Sequence, residues 1–391
     1  MKNTINALEF GTSKIVALIA ETAPNMRCDI IGAGSEYYDG FLSGHWNAPD
    51  TLNDSIRNAI AEAENQSKTR VRDINIGVPA EFCTVYTVEA KVELQGVDPK
   101  VTGKDIDALM NHATESIGEI RGNIIHRSPA WFIVDDGKKT LEPVDQRGSE
   151  LRGMISFIVA DNFFLEDVTN RLTALGYNVT GYFAAPIGEA MLFIPDEERD
   201  RTAVLVDVGY LSTDVMTVEG DALTSLKVIP TGGGNIAADL AYGLNISLNA
   251  AEQIKRQYVF GLKNVHNSFD ITDSDGNTQS FAHDKVEKIM EPSVNALCEE
   301  IKKAIDESGV KLSNWSPVYL TGGGLCINRG GRDFLSTRIG KPVKELPRKA
   351  VKLCSPVYST ALGLLDLIID IVTSARNNSG VSGFFRNLFG S

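Results

Sequence analysis

Two stretches of the chain repeat the same order of apolar and polar positions. The first has an apolar segment from residue 6, a polar turn over 9–14 and a second apolar segment over 15–20. The second starts at residue 202 and reads AVLVDVG, then a polar turn over 210–213, then DVMTVEG. Each predicts a β-hairpin with a glycine-centred turn. A third strand and a helical pattern follow each hairpin, over 49–66 and 235–244, so the repeat predicts two similar subdomains that face each other.

A region of different pattern separates the two repeats, over residues 78–160. It alternates apolar and polar positions (FCTVYTVEAKVEL), becomes helical (GKDIDALMNHATESIG) and then returns to strands (AWFIVDD and MISFIVA). These patterns predict a compact α+β insertion. Further along, residues 250–308 are largely helical, the strand SPVYLTGGG follows, and 356–372 predicts a closing helix.

Composition and charge are typical of an acidic globular protein. The 391 residues are too many for one simple core, which predicts two or more domains. A net charge of −13 argues against nucleic acid as the main partner, because phosphates require Lys and Arg. The five cysteines are scattered without a CxxC pair, so we expect a reducing cytoplasm and neither a disulfide framework nor a zinc site. We also expect no signal peptide and no membrane-spanning segment.

Three glycine-containing turns follow predicted strands: EFGTSK over 9–14, DVGYLSTD over 207–214 and LTGGGLCIN over 320–328. Glycine lets the backbone approach a phosphate and point its N–H groups at the oxygens. Glu9 and Asp207 end their strands, where a carboxylate can hold Mg²⁺ through water. One such turn alone is more often an ordinary hairpin, but three in one chain predict a nucleotide site.

A fourth glycine segment, TGGGNIAADLA over 231–241, precedes a helical pattern. The free N–H groups of a helix N-terminus form an anion site, so this segment predicts a contact with a phosphate. The alternative is a helix cap with a flexible approach.

The order of EFGTSK, DVGYLSTD, TGGGNIAADLA, AEQIKRQYV and YLTGGG resembles the superfamily of actin, Hsp70 and the sugar kinases. Within it, the chain is most similar to the bacterial cell-division family FtsA, over nearly its whole length. The resemblance includes GYNVTGYFAAPIGEAML, PVYSTALGLL and the position of the insertion. It implies an α/β, actin/RNase H-like two-domain fold with an FtsA-type 1C insertion and a C-terminal amphipathic tail.

The resemblance also implies domain boundaries. Subdomain 1A would consist of residues 1–77, 161–200 and a closing helix over 353–373, and subdomain 1C would be the insertion over 78–160. Subdomain 2A would consist of 201–245 and 313–352, and 2B of 246–312. A flexible linker over 374–383 and a membrane-targeting helix over 384–391 would follow.

Site residues carried over from the family motifs surround an ATP molecule with Mg²⁺. A first phosphate loop would contain Gly11, Thr12, Ser13 and Lys14, and a second would contain Asp207, Gly209 and Ser212. The terminal phosphate would face Gly232, Gly233 and Gly234, the ribose Glu252 and Lys255, and the adenosine Gly322, Gly323 and Gly324. Glu252 and Lys255 equally fit an ordinary ion pair on a solvated helical face.

The function implied by the resemblance is a scaffold that forms filaments with copies of itself. It would tether FtsZ to the cytoplasmic face of the inner membrane at the division site, with the C-terminal peptide of FtsZ meeting subdomain 2B. The second loop departs from the usual DIGGGTxD, because Tyr210 and Leu211 replace two glycines. The sequence shows no convincing catalytic base. Glu189 lies on a predicted helix, and the sequence does not show whether its carboxyl group reaches the nucleotide. We therefore expect nucleotide binding with slow or no turnover.

The last residues, FFRNLFGS, follow a polar linker that is rich in Gly and Ser. In a helix, Phe384, Phe385, Leu388 and Phe389 fall on one face, which predicts a helix that lies on the lipid surface. The alternative is a tail that packs on its own protein or on a partner.

Two other functions compete with the FtsA-type scaffold. A PilM-like scaffold of a pilus or secretion assembly would share the insertion, lack the lipid tail and bind a short peptide of a membrane partner. A small-molecule kinase of the same superfamily would need a catalytic Asp near the terminal phosphate and a substrate pocket, and the altered second loop argues against it.

Overall fold

The computed structural model describes residues 3–22, 28–261, 268–272, 278–309, 312–313, 316–346, 353 and 355–376. The predicted membrane helix over 384–391, with Phe384, Phe385, Leu388 and Phe389, lies outside these residues, as does the linker beyond Arg376. Among the described residues, no helix combines the length and the apolarity needed to cross a bilayer.

The first half of the chain supplies ten strands and five helices. In chain order they are β1 (Asn3–Phe10), β2 (Lys14–Thr22), β3 (Cys28–Tyr37), β4 (Phe41–Leu42), β5 (His45–Trp46), α1 (Leu52–Ser67), β6 (Asp73–Val78), β7 (Cys83–Glu93), α2 (Gly103–Ser116), β8 (Asn123–Val134), β9 (Glu150–Ala160), α3 (Asn162–Ala174), β10 (Asn178–Ala184), α4 (Ala185–Phe193) and α5 (Asp196–Arg199).

The described part of the second half contains seven strands and five helices. They are β11 (Ala203–Val208), β12 (Thr213–Glu219), β13 (Ala222–Ile229), α6 (Gly233–Leu244), α7 (Leu248–Gln257), β14 (Ser268–Thr272), β15 (Thr278–Ala282), α8 (His283–Asp306), β16 (Val318–Thr321), α9 (Gly331–Ile339), β17 (Val343–Glu345) and α10 (Ser359–Arg376). Short 3₁₀ turns precede β7 and α10.

Two five-stranded sheets have the same topology. The first has the order β10-β6-β1-β2-β3 and the second the order β17-β16-β11-β12-β13. In each, three sequential strands are antiparallel, and the first of them pairs in parallel with a later strand. The repeat of hairpins predicted from the sequence is therefore confirmed at the level of strand pairing.

Residues between β6 and α3 form a separate layer. Strands β7, β9 and β8 make a three-stranded sheet, and α2 packs on it around a core that includes Leu109, Phe132 and Phe157. Ala130 and Trp131 of this sheet pack against Ala222 at the start of β13. The Ser156 hydroxyl donates a hydrogen bond to the Leu223 carbonyl over 2.5 Å. The inserted sheet therefore lies between α2 and the second large sheet.

Helices α4 and α10 cross closely at Gly188 and Gly363, and this crossing fixes the position of the Glu189 side chain. A Cβ atom on Gly363 would lie 2.4 Å from the backbone nitrogen and Cα of Glu189, so only glycine allows the approach. Glu189 is 1% exposed, and its carboxyl group lies at the base of the cleft between the sheets.

One pH prediction arises in the insertion. His126 on β8 is 4% exposed, and burial lowers the pKa of its imidazole to about 4. Because the unfolded chain binds this proton more readily, the stability contributed by neutral His126 is complete above pH 6.5 and is lost as the pH falls towards 4. The shift corresponds to about 3 kcal/mol.

The measurement is urea unfolding of the wild type and of His126→Phe between pH 7.5 and 4.5. Buried carboxyl groups elsewhere titrate equally in both proteins, so the difference between them isolates the histidine. We expect the wild type to lose stability relative to the variant as the pH falls. Parallel pH curves would contradict the assignment.

Candidate nucleotide-binding site

A cleft of 390 Å³ opens between the two large sheets, where the turns of the two equivalent hairpins meet. Its walls come from the β1–β2 turn, the β11–β12 turn, the residues after β16 and the segment that leads into α10. Several of the predicted ligand residues line it together, namely Glu9, Gly11, Thr12, Ser13, Lys14, Asp207, Gly209, Ser212, Glu252, Gly322 and Gly323.

The β1–β2 turn is tight, and a residue outside the turn fixes its position. The Gly11 amide donates to the Lys14 carbonyl over 2.9 Å, and the Tyr38 hydroxyl donates to the Gly11 carbonyl over 2.7 Å. The Lys14 ammonium lies 3.7 Å from the centre of the Tyr358 ring, a cation–π contact. Burial lowers the pKa of Lys14, with Glu9 opposing this effect. The turn thus presents a fixed, partly desolvated cation to the cleft.

The second turn contacts the first across the cleft. The backbone amides of Tyr210 and Leu211 both donate to the Thr12 hydroxyl oxygen over 3.1 Å. The Gly209 amide closes its own turn by donating to the Ser212 carbonyl over 2.9 Å. Two consecutive N–H groups that converge on one oxygen form the kind of backbone concavity that binds anions. In this structure the Thr12 hydroxyl occupies both amides, so a phosphate would reach them by taking the place of that hydroxyl.

Four buried carboxyl groups form the floor of the cleft: Glu9, Glu189, Asp207 and Asp214. Burial raises the pKa of Glu9 to about 8, partly offset by Lys14, and it raises the pKa of Asp207 to about 6. The pKa values of Glu189 and Asp214 also lie well above their usual range, because both are buried and both lie near Asp207. The concentration of acidic groups is electrostatically unfavourable unless a proton or a cation joins them.

Two oxygens of this floor have unsatisfied hydrogen-bonding capacity. Among the described residues, none donates a hydrogen bond to Glu189 Oε1 or to Asp214 Oδ1. Asp207 Oδ2 accepts a hydrogen bond from the Thr360 hydroxyl over 3.1 Å. Carboxylate oxygens are the ligands that Mg²⁺ prefers, so the chemistry of the floor fits a magnesium ion held through water. Among the described residues, the cluster close enough to bind an ion directly lies elsewhere, at His283, Asp284 and Glu287.

The third glycine turn approaches this floor directly. Gly322 has a φ of +87°, and a Cβ atom there would lie 2.1 Å from Asp207 Oδ1. A side chain at this position would therefore displace the carboxylate. Gly323 lines the cleft beside it, whereas the Gly324 amide donates to the Val208 carbonyl over 2.7 Å and does not line the cleft.

The α6 N-terminus lies behind the second turn and outside the cleft lining. The Gly232 amide donates to the Asn235 side chain over 2.9 Å, the Gly233 amide to the Gly209 carbonyl over 2.9 Å, and the Gly234 amide to the Tyr210 carbonyl over 2.7 Å. The N–H groups predicted to be free for a phosphate are thus engaged by the chain itself. In this structure the segment caps its helix, as in the alternative interpretation.

On α7, the structure separates residues that the sequence placed together. Lys255 is 1% exposed, donates to the Gly233 carbonyl over 2.8 Å and pairs with Glu252 over 2.7 Å. Glu252 lines the cleft, and so does Arg256, whose Nε lies 2.8 Å from the other Glu252 oxygen. Arg256 is therefore the positive charge that α7 presents to the cleft. Lys255 instead binds the start of α6 through the Gly233 carbonyl.

Asp214 and Arg256 are two members of the site that were not predicted. Asp214 ends the segment DVGYLSTD and Arg256 follows Lys255, so both lay within quoted motifs. Arg256 is four residues after Glu252, on the same helical face, and this spacing was the available signal.

Comparisons with known proteins point to one family. A family model described as "Cell division protein FtsA" matches residues 204–363. The cell division protein FtsA of Neisseria meningitidis serogroup B (strain ATCC BAA-335 / MC58) is 24% identical over 371 residues, which are 92% of this chain and 89% of the relative. The chain is related to the FtsA family.

Solved structures with a similar fold were also found. A chain of the PilM–PilN type IV pilus biogenesis complex matches with a TM-score of 0.62 and 20% identity, over 92% of this chain and 97% of that chain. MreB5 of Spiroplasma citri bound to AMPPNP matches with a TM-score of 0.52 and 11% identity, over 96% and 99%. At such identities the likeness shows the fold alone. The predicted actin-like α/β fold of this FtsA relative is confirmed.

Proposed function

We propose that this chain is an actin-like cell-division scaffold that binds an adenine nucleotide with Mg²⁺ in the cleft and attaches to the membrane by its C-terminal tail. The observation that carries the nucleotide part is the floor of four buried carboxyl groups, enclosed by two equivalent hairpin turns and a third glycine turn. A buried acidic floor without a cation is costly, whereas a Mg²⁺–phosphate complex supplies the missing positive charge and the anion for the turns.

Within this proposal the residues have distinct tasks. Glu9 and Asp207 would hold the Mg²⁺ through water, with the carboxyl groups of Asp214 and Glu189 below it. A bound Mg²⁺ would supply positive charge to the phosphate oxygens. The turns over 11–14 and 209–212 supply amides, hydroxyls and the Lys14 charge. Gly322 and Gly323 leave room for the adenosine, and Glu252 with Arg256 faces the sugar.

We expect a scaffold with at most slow ATP turnover. Glu189 is the candidate for a general base at the bottom of the cleft. Burial and neighbouring carboxylates raise its pKa well above the usual range. The raised pKa lowers the fraction of Glu189 in the charged form, which is the form that accepts a proton from water. The FtsZ C-terminal peptide, the self-assembled filament and the cytoplasmic face of the division site belong to this proposal through the family relation.

The tail prediction concerns Phe385. Fully burying one Phe or Leu is worth roughly 1.5–3 kcal/mol, so four such side chains give about 6–12 kcal/mol as an upper limit. Interfacial insertion is partial, and ordering the segment costs about 1–2 kcal/mol per residue, so a single tail binds weakly. A filament presents many tails, and avidity raises binding by roughly 10²–10⁴.

Liposome co-sedimentation tests this prediction and the proposed function together. The full chain, Phe385→Asp and a version that ends at Ser379 are each mixed with vesicles, with and without ATP and Mg²⁺. We expect only the full chain to pellet, and more strongly with nucleotide. Arg386→Gln is the matched control, because it changes the tail's charge and keeps its apolar face. If every version stays in solution, the anchor is wrong and a PilM-like scaffold becomes the better interpretation.

A further inference from the structure

Three side chains with metal-binding groups meet at the start of α8. They belong to His283, Asp284 and Glu287, and their ligand atoms all lie within 4.8 Å of one another. His283 and Glu287 are four residues apart, so they lie on the same face of the helix. None of the three lines the nucleotide cleft, so a ligand of this cluster would be separate from the proposed nucleotide.

The ring of His283 is buried and its position is fixed by aromatic neighbours. It is 8% exposed and stacks on the rings of Tyr258 and Phe269, with ring centroids 5.7 and 5.9 Å apart and interplanar angles of 22° and 23°. Tyr258 follows α7 and Phe269 lies on β14, so α8 and two other parts of the chain hold the imidazole. Packing that locks the rotamer of a side chain prepares it to bind a ligand.

The polar atoms of the cluster lack partners. Within the part of the chain that the structure describes, no hydrogen bond and no ion pair reaches the His283 nitrogens or the carboxylates of Asp284 and Glu287. The neighbouring Lys285 and Lys288 are exposed and form no ion pair with these carboxylates. A buried imidazole normally has a hydrogen-bond partner, so an unpartnered one that faces two carboxylates points to a ligand between them.

The charge of the cluster favours a cation. The N-terminus of α8 contributes about half a positive charge, which by itself would repel a metal ion. Asp284 and Glu287 bring two carboxylates to the same place, and their charge outweighs that of the helix end. The ligand that this balance favours is therefore positively charged.

The types of ligand atom restrict which cation fits. Mg²⁺ and Ca²⁺ are bound through oxygen, whereas an imidazole nitrogen is a ligand for zinc and the neighbouring transition metals. One imidazole and two carboxylates also supply the three protein ligands that zinc has in sites with an open fourth position.

The present spacing of the atoms is slightly too wide for direct coordination. Zinc–ligand distances of about 2.0–2.2 Å place the ligand atoms of a tetrahedral site about 3.4 Å apart, so atoms within 4.8 Å must approach by about 1.4 Å at most. Asp284 is exposed and Glu287 is half-buried, so both carboxylates can rotate towards the fixed ring.

We propose that His283, Asp284 and Glu287 form a binding site for a divalent ion of the zinc class, with its fourth position open to water. The expectation of no zinc site rested on the scattered cysteines, and this site uses none of them. The proposal is independent of the nucleotide function, because the two sites share no residue.

The test is a titration of the full chain, without an affinity tag, with Co²⁺ in the presence of excess Mg²⁺. Co²⁺ binds the same types of ligand as zinc and absorbs visible light when bound, and the Mg²⁺ competes for sites made of oxygen alone. We expect one Co²⁺ to bind per chain. Zn²⁺ should displace it, because zinc binds such ligands more tightly than cobalt.

Substitutions assign the bound ion to the cluster. His283→Phe keeps an aromatic ring in the stack and removes both nitrogens, and Glu287→Gln keeps the size of the side chain and removes its charge. Each should weaken Co²⁺ binding at least about tenfold, since even the outer partners of metal ligands contribute 10- to 100-fold. Glu300→Gln, at an exposed glutamate on the same helix, is the matched control and should bind as the wild type does.

Three results would overturn the proposal. They are a wild type without saturable Co²⁺ binding, unchanged binding in a folded His283→Phe or Glu287→Gln, and an equal loss in Glu300→Gln, which would indicate a diffuse acidic surface. Thermal unfolding verifies the fold of each variant. If His283→Phe does not fold, Glu287→Gln and Asp284→Asn decide the matter. The proposed nucleotide function stands in each case, because its residues line the cleft.

Discussion

Replacing Asp207 with asparagine is expected to weaken Mg²⁺-dependent nucleotide binding about 10- to 100-fold, the range typical for residues that hold a metal through an outer contact. The substitution keeps the size of the side chain and its hydrogen bond from Thr360. It removes one negative charge from the centre of the acidic floor, beside the third glycine turn. Titration calorimetry with ADP, in the presence of Mg²⁺ and in EDTA, measures the effect.

The same variant should not be less stable when no ligand is bound. Burial raises the pKa of Asp207 to about 6, so the folded state disfavours its charged form. The resulting destabilisation is absent below pH 3.8, grows as the pH rises through about 6 and stays at neutral pH. Asp207→Asn escapes it, so its ligand-free unfolding temperature at pH 7.5 should equal or exceed that of the wild type.

The combination of results distinguishes a binding residue from a structural one. Asp239→Asn, on an exposed part of α6, is the control and should change neither binding nor stability by much. Weaker binding together with a lower unfolding temperature in Asp207→Asn would indicate a structural carboxylate. Unchanged Mg²⁺ dependence would remove Asp207 from the site.

Replacing Arg199 with methionine is expected to lower the free energy of unfolding by about 1–3 kcal/mol, the range for leaving buried hydrogen-bond acceptors without a donor. Arg199 ends α5 and is 6% exposed. Its guanidinium donates to the Ile194 carbonyl over 2.6 Å and to the Gly220 carbonyl over 3.0 Å, and it pairs with Asp221 over 3.1 Å. It therefore ties the end of α4 to the β12–β13 turn.

Loss of this side chain leaves several acceptors without a partner. Burial already raises the pKa of Asp221, and Arg199 opposes that rise, so the carboxylate loses its stabilising charge. Arg199→Lys keeps the charge but not the fork of donors, and should recover only part of the loss. Arg201→Met, at an exposed arginine two residues away, is the matched control and should cost about 0.5 kcal/mol or less. Urea unfolding of the three variants gives the comparison, and a loss below 1 kcal/mol for Arg199→Met would contradict the prediction.

Local patterns accounted for much of the fold. Hairpins β1–β2 and β11–β12 follow from apolar runs interrupted by glycine turns, and the predicted helix over 49–66 is observed as Leu52–Ser67. The insertion was predicted from a change in the spacing of apolar positions, from alternating to helical and back. These features depend on neighbours within a few residues, because hydrophobic periodicity and turn chemistry act at short range.

The α7 residues illustrate what local patterns leave open. Glu252, Lys255 and Arg256 lie within five consecutive positions, and the sequence alone allows either charge to face the ligand. Packing of α7 on α6 decides the matter by turning Lys255 towards the Gly233 carbonyl. The rotation of a helix about its axis depends on what it packs against, and the partner here is 22 residues away.

By itself, the sequence determined that this protein has two equivalent hairpin units, an α+β insertion and three glycine turns at strand ends. Only the tertiary structure decided that Glu189 and Asp214 join Glu9 and Asp207 in one acidic floor, and that backbone carbonyls of the second turn accept hydrogen bonds from the α6 N-terminus. The physical reason is that strands and turns form through contacts along the chain. The charge of a site, in contrast, depends on which distant side chains are buried together and on which backbone groups still lack a partner.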